Sequence, residues 1–160
     1  MDRIGLGYDV HPLVSGRKLF LGGIEIEYHK GLSGHSDADV VIHSLCDALL
    51  GALALGDIGD YFPPGDPTYK DVRSEILLSR VLDIIGKEGY IPFQVDITIV
   101  AEDPRLKPFI PLMREKISKM LALSIDKVSI KAVSPEGLGA LGRKEGIAAI
   151  TLARVVKKNG

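Results

Sequence analysis

The sequence predicts an α/β fold of the α+β kind, one domain over residues 1–160, with a mixed β-sheet covered by helices on one face. Three observations predict it. Short strand-like segments crowd the first thirty residues, a strongly apolar helical segment follows, and helix and strand patterns then alternate to the end. A chain of 160 residues also buries enough surface to fold without a disulfide or a structural metal.

Residues 3–8 read as a strand that leads into Asp9-Val10-His11-Pro12. Residues 18–21 and 23–28 read as a strand pair turning at Gly22-Gly23, and Ile24-Glu25-Ile26-Glu27 alternates as a half-buried strand does. The first helix is expected over residues 38–55. Val41, Leu45, Leu49 and Leu53 recur at every fourth position, and Ile42, Cys46 and Leu50 widen the apolar face. Ser36 and Asp39 have capping-box spacing, Asp37 is an alternative N-cap, and Gly56 is the expected stop. Residues 57–71 form a long loop with three prolines, a length at which loops are often functional. A helix over 72–87, a strand over 93–101, a helix over 107–123 and strands over 127–133 and 147–156 complete the order.

Composition narrows the function. The formal charge is −1, with 7 basic against 12 acidic residues in positions 1–80 and 13 against 9 in positions 81–160. This balance argues against a nucleic-acid partner and against a polybasic membrane surface, while leaving room for a small anionic ligand. Cys46 is the only cysteine, so no intrachain disulfide forms, and its place in an apolar helix pattern marks it as buried and inert. The chain shows no secretory h-region and no apolar run of transmembrane length. The default expectation is a soluble protein of a reducing compartment, and a transit peptide already trimmed would leave no mark in the sequence.

Four histidines are present: His11, His29, His35 and His43. On an extended segment Asp9 and His11 point to one side. His43 lies one helical turn from both Asp39 and Asp47, either of which is a candidate to orient its ring. Asp9, His11 and His43 together would offer one carboxylate and two imidazoles, leaving a fourth tetrahedral position open as at catalytic zinc sites. The alternative is a mid-helix histidine bonded to a neighbouring carboxylate, with Asp9 serving a turn. His35-Ser36-Asp37 precedes the helix, where free N–H groups suit either capping or an anion. Asp57, Asp60 and Asp66 fit either ligand contact or turn formation beside Gly59 and Gly65. Near the end, Val133–Gly142 carries Glu136 and three glycines but neither a dinucleotide fingerprint nor a P-loop. Lys131, Arg143 and Lys144 add positive charge there, free or paired with Glu145.

Several fragments then stand out in order: residues 5–11 (GLGYDVH), 31–39 (GLSGHSDAD), His43, 47–52 (DALLGA), 55–59 (LGDIG), Lys131-Ala132, 136–139 (EGLG) and 142–146 (GRKEG). At these spacings the chain resembles the 2-C-methyl-D-erythritol 2,4-cyclodiphosphate synthase family over essentially its whole length. The resemblance implies Asp9, His11 and His43 as ligands of one Zn²⁺ per active site. It implies His35 and Ser36 at the substrate phosphates, and Asp57 and Asp66 near the methylerythritol moiety. Glu136 matches a ligand of a second divalent ion, Mg²⁺ or Mn²⁺. A cytidine monophosphate pocket would draw on Ala101, Arg105, Leu106, Ala132, Val133, Ser134 and Glu136. The family is a homotrimer with active sites between adjacent subunits, and Arg143 and Glu145 match residues around an axial cavity proposed to hold an isoprenoid phosphate.

The sequence departs from that pattern at three places. Pro64 stands where an aspartate is common, Ala140 stands where an aromatic can line the axial cavity, and residues 132–135 (AVSP) replace a threonine-rich stretch, so that Val133 offers no hydroxyl. The implied reaction is an intramolecular phosphoryl transfer. The 2-phosphate of 4-diphosphocytidyl-2-C-methyl-D-erythritol 2-phosphate attacks its own β-phosphorus, and cytidine monophosphate leaves, the work of a phosphorus–oxygen lyase. An anionic phosphate needs no protein base, which suits a chain with no evident base–nucleophile pair.

Overall fold

The computed structural model describes residues 1–158. Its elements, in chain order, are β1 (Arg3–Ser15), β2 (Leu19–Leu21), β3 (Ile24–Ile26), β4 (Lys30–Leu32), α1 (Val40–Ala52), α2 (Ile58–Tyr61), α3 (Ser74–Lys87), β5 (Tyr90–Val100), α4 (Ile110–Leu121), β6 (Val128–Val133), α5 (Gly139–Gly142) and β7 (Gly146–Lys157). Five strands form one mixed sheet in the order β4-β1-β7-β5-β6. Only β5 and β6 run parallel, and β2–β3 stands apart as a hairpin.

The two-sided pattern of β1 organises the molecule. Gly5, Gly7 and Leu13 face inward and are buried, whereas Ile4, Leu6, Tyr8 and Val10 face outward and are exposed. On the inner face α1 lies directly against the strand. A Cβ on Gly5 would collide with the Ala48 carbonyl, and one on Gly7 with the Ser44 carbonyl, so only glycine permits this approach. Eleven of the thirteen α1 residues are buried, which explains an apolar face broader than one stripe. The core continues through Leu78, Val81 and Ile85 of α3 and through Ile97 and Ile99 of β5. Helices thus cover one face, as expected. No helix among the described residues is long and apolar enough to cross a membrane.

Some boundaries differ from expectation. The first strand runs on to Ser15 because residues 9–12 keep pairing with residues 146–149 of β7. The helix expected over 38–55 begins at Val40, with Asp39 itself as N-cap, since its carboxylate accepts the backbone N–H groups of Val41 and Ile42 at 3.1 Å. Neither Ser36 nor Asp37 caps it. It ends at Ala52, before Gly56, and Ala54 takes a left-handed conformation. Asp39 also accepts Gly22 and Gly23 N–H, at 2.9 and 2.7 Å, and so ties the β2–β3 turn to the helix. Both glycines have positive φ, as a two-residue hairpin turn requires. The loop over 57–71 is not structureless. It holds α2 and a 3₁₀ turn at Pro67–Tyr69, with Asp57 and Asp66 as their respective N-caps. Strand β4 and the single turn of α5, three and four residues long, are too short to leave a pattern in the sequence.

Candidate active site

The close approach of α1 to β1 sets His43 over two successive inward positions of the strand, Asp9 and His11. Asp9 Oδ2 lies 2.9 Å from His11 Nε2 and 3.1 Å from His43 Nδ1, and the two ring nitrogens are 3.3 Å apart. Among the described residues these three form the one group whose donor atoms converge closely enough for a metal ion. Two imidazoles and a carboxylate on one small space are a borderline-soft set suited to a divalent transition ion. Burial disfavours the Asp9 carboxylate, but hydrogen bonds and charge from His11 and His43 hold its pKa far below the usual carboxylate range. Burial opposes the His43 imidazolium too, yet the Asp9 hydrogen bond and charge, with Asp39 and Asp37 behind, raise its pKa above the ordinary histidine value.

The triad opens into a cavity of about 240 Å³ that His35 and Ser36 also line, with Ile58, Phe62, Pro64 and Tyr69 as its apolar side. His35 Nε2 donates to the Asp66 carbonyl at 2.7 Å, and the His35 carbonyl accepts Asp71 N–H at 2.8 Å, so the histidine pins the second half of the 57–71 segment. Ser36 Oγ accepts Ala38 N–H at 3.1 Å and lies 3.1 Å from His43 Nε2.

A second concavity, about 600 Å³, sits where β5 and β6 end and α4 approaches. Ala101, Arg105, Leu106, Ala132, Val133 and Ser134 all line it, together with Glu102 and Lys107. It shares no residue with the triad cavity. Ser134 Oγ donates to Glu102 Oε2 at 2.9 Å and accepts Glu136 N–H at 2.9 Å, which shapes the turn beyond β6.

The family model described as the YgbB family matches residues 2–156. A Moorella thermoacetica 2-C-methyl-D-erythritol 2,4-cyclodiphosphate synthase is 58% identical over 147 residues, which span 92% of this chain and 90% of that relative. The chain belongs to the YgbB family of cyclodiphosphate synthases. Solved structures agree. The bifunctional IspDF of Campylobacter jejuni matches with a TM-score of 0.95 at 38% identity over 99% of this chain, although the chain spans only 43% of that longer protein. The Plasmodium falciparum IspF in its CDP complex matches with a TM-score of 0.86 at 32% identity, over 99% of this chain and 97% of that one.

Within this YgbB-family chain, the remaining expected residues fall into different settings. The Asp57 and Asp66 carboxylates are engaged locally, accepting Gly59 N–H at 2.8 Å and Thr68 N–H at 2.9 Å. Glu136 is exposed, with positive φ, and stands outside the triad. Arg143 pairs with Glu145 at 2.6 Å, whereas Lys144 pairs with Asp103 at 2.5 Å and Lys131 with Asp96. Neither Asp39 nor Asp47 bonds His43. Asp39 is spent on four backbone N–H groups, and Asp47 accepts Ile58 N–H at 2.8 Å, fastening α2 to α1. Besides Ser36, the far side of the His43 ring meets Ser74, the first residue of α3, with Oγ 2.9 Å from Nε2. Sequence spacing held no sign of it, because Ser74 lies 31 positions away and reads as ordinary helix-start chemistry. Cys46 is fully buried, and burial pushes its thiol pKa well up, as expected for an inert cysteine.

Proposed function

We propose that the chain converts 4-diphosphocytidyl-2-C-methyl-D-erythritol 2-phosphate to 2-C-methyl-D-erythritol 2,4-cyclodiphosphate with release of CMP. The observation that carries this reading is the convergence of Asp9, His11 and His43 at the mouth of the cavity lined by His35 and Ser36, within a chain of this family. The triad fits Zn²⁺, and Glu136 would help hold a second divalent ion, Mg²⁺ or Mn²⁺, beside the substrate. Divalent ions bound in this way supply Lewis-acid polarisation of phosphoryl oxygens.

The chain's own residues bind and orient. His35 and Ser36 hold the phosphates at the cavity, and the groove from Ala101 to Ser134 takes the cytidine end. The 57–71 segment, carrying Phe62 and Pro64, covers the reacting groups from water. The 2-phosphate then forms a bond to the β-phosphorus as the bond to the CMP oxygen breaks. Both groups are already anionic, so orientation rather than deprotonation is the main task.

The two concavities each offer half of such a site, and the reading completes them in a homotrimer with active sites between neighbours. Exposed Ile4, Leu6, Tyr8, Val10, Ile150 and Leu152 form an apolar sheet face suited to burial between copies. The Arg143–Glu145 pair belongs at the trimer axis, beside a cavity for an isoprenoid phosphate. One domain in the bacterial cytoplasm is the setting this function asks for. Incubation with the diphosphocytidyl substrate, Zn²⁺ and Mg²⁺ should yield the cyclic diphosphate and CMP by ³¹P NMR. Inorganic phosphate as the product, or no turnover, would overturn the reading.

A further inference from the structure

The Nε2 edge of His43 faces away from the triad, towards two buried hydroxyls, Ser36 and Ser74, of which the proposed reaction uses only Ser36. Ser74 is fully buried there, with Oγ 2.9 Å from Nε2. A serine hydroxyl has one hydrogen, and Ser74 donates it to Asp37 Oδ1 in a short bond. Asp37 Oδ2 accepts the Ser74 backbone N–H at 3.0 Å and faces Arg73 Nε at 3.3 Å. The Asp37 side chain is only 5% exposed, so its charge depends on these partners. With its hydrogen committed to a carboxylate, Ser74 Oγ can only accept from the ring. His43 Nε2 therefore carries a hydrogen, and Nδ1 is the nitrogen left to face Asp9 and His11. Ser36 Oγ meets the same Nε2–H and also accepts Ala38 N–H, which leaves its own O–H for a ligand in the cavity.

We propose that Ser74, anchored by Asp37, is a positioning residue for the cation site, holding His43 through Nε2–H so that Nδ1 is its ligating atom. This rests on reading the triad as a divalent-cation site. Outer-shell partners of this kind set the orientation and tautomer of ligating histidines. The arrangement also makes the docking of α3 against α1 a condition of a well-formed site, because His43 and its acceptor come from different helices.

The test uses the full chain and Zn²⁺ alone, with affinity read by chelator competition and geometry by the absorption bands of Co²⁺ in its place. The Ser74→Ala variant is expected to bind Zn²⁺ about 10- to 100-fold more weakly and to show altered Co²⁺ bands, and Ser74→Thr to restore affinity to within about threefold of the parent. Parent-like affinity and bands in Ser74→Ala would overturn the proposal. ¹⁵N NMR of the Zn²⁺-loaded parent gives a second measure that needs no variant to fold. A directly bonded hydrogen on His43 Nε2 supports the assignment, and a hydrogen on Nδ1 defeats it. If the parent itself takes up no stoichiometric Zn²⁺, the cation-site reading fails instead.

Discussion

At the residue scale the site depends on three side chains competing for one small volume. Without a cation, Asp9 Oδ2 compensates two imidazoles at once. Because His43 keeps its proton to a higher pH than an ordinary histidine, protons compete with a metal for Nδ1 over a wider range. Zn²⁺ affinity should accordingly fall with decreasing pH, starting above the usual imidazole pKa, and uptake should release protons measurable by a pH-indicator titration. A pH-independent affinity would count against the assignment of His43 as ligand. His43→Ala should abolish Zn²⁺ binding and turnover together, and full turnover in zinc-free His43→Ala protein would end the proposed metal role. The triad residues were legible because strand and helix periods bring i+2 and one-turn neighbours to a face. Their convergence was not, since it depends on contacts across 32 and 34 positions of sequence.

At the element scale, the close approach of α1 to β1 sets how His43 meets Asp9 and His11. Gly7 touches the helix backbone, and a methyl group there has no flexible neighbour to displace. Gly7→Ala should cost about 3 kcal/mol or more in urea unfolding, as backbone overpacking does, and should weaken Zn²⁺ binding by lifting His43 from Asp9. A change within about 0.5 kcal/mol would show that the helix moves freely. The apolar period of α1 announced the helix, but its start was hidden. Ser36, Asp37 and Asp39 are all plausible caps in a sequence, and only the hairpin turn at Gly22-Gly23, which also needs the Asp39 carboxylate, decides among them. The 57–71 segment looks like a loop in sequence because α2 spans four residues, too few for a periodic signal, and is fixed by Asp57 capping with Ile58 and Tyr61 against the core.

At the scale of the whole molecule, the proposed trimer would account for the two concavities and the apolar outer face together. If each active site joins the triad cavity of one copy to the groove of another, two defective chains can repair one another. Mixing His43→Ala protein with a chain blocked in the groove, such as Ala132→Trp, should recover part of the activity after subunit exchange, although neither works alone. Failure of recovery in exchanged trimers, verified by native mass spectrometry, would show that each copy holds its site complete. The alternation of β1 has one more consequence. Its odd positions carry Gly5, Gly7, Asp9 and His11 towards α1, and its even positions carry Ile4, Leu6, Tyr8 and Val10 outward. A single residue inserted or deleted between Gly5 and Asp9 would put the positions on its two sides out of phase, turning either the glycines or the candidate cation ligands away from α1. This segment can therefore tolerate changes of spelling but not of length, and among natural variants the interval from Gly5 to His11 should be free of gaps.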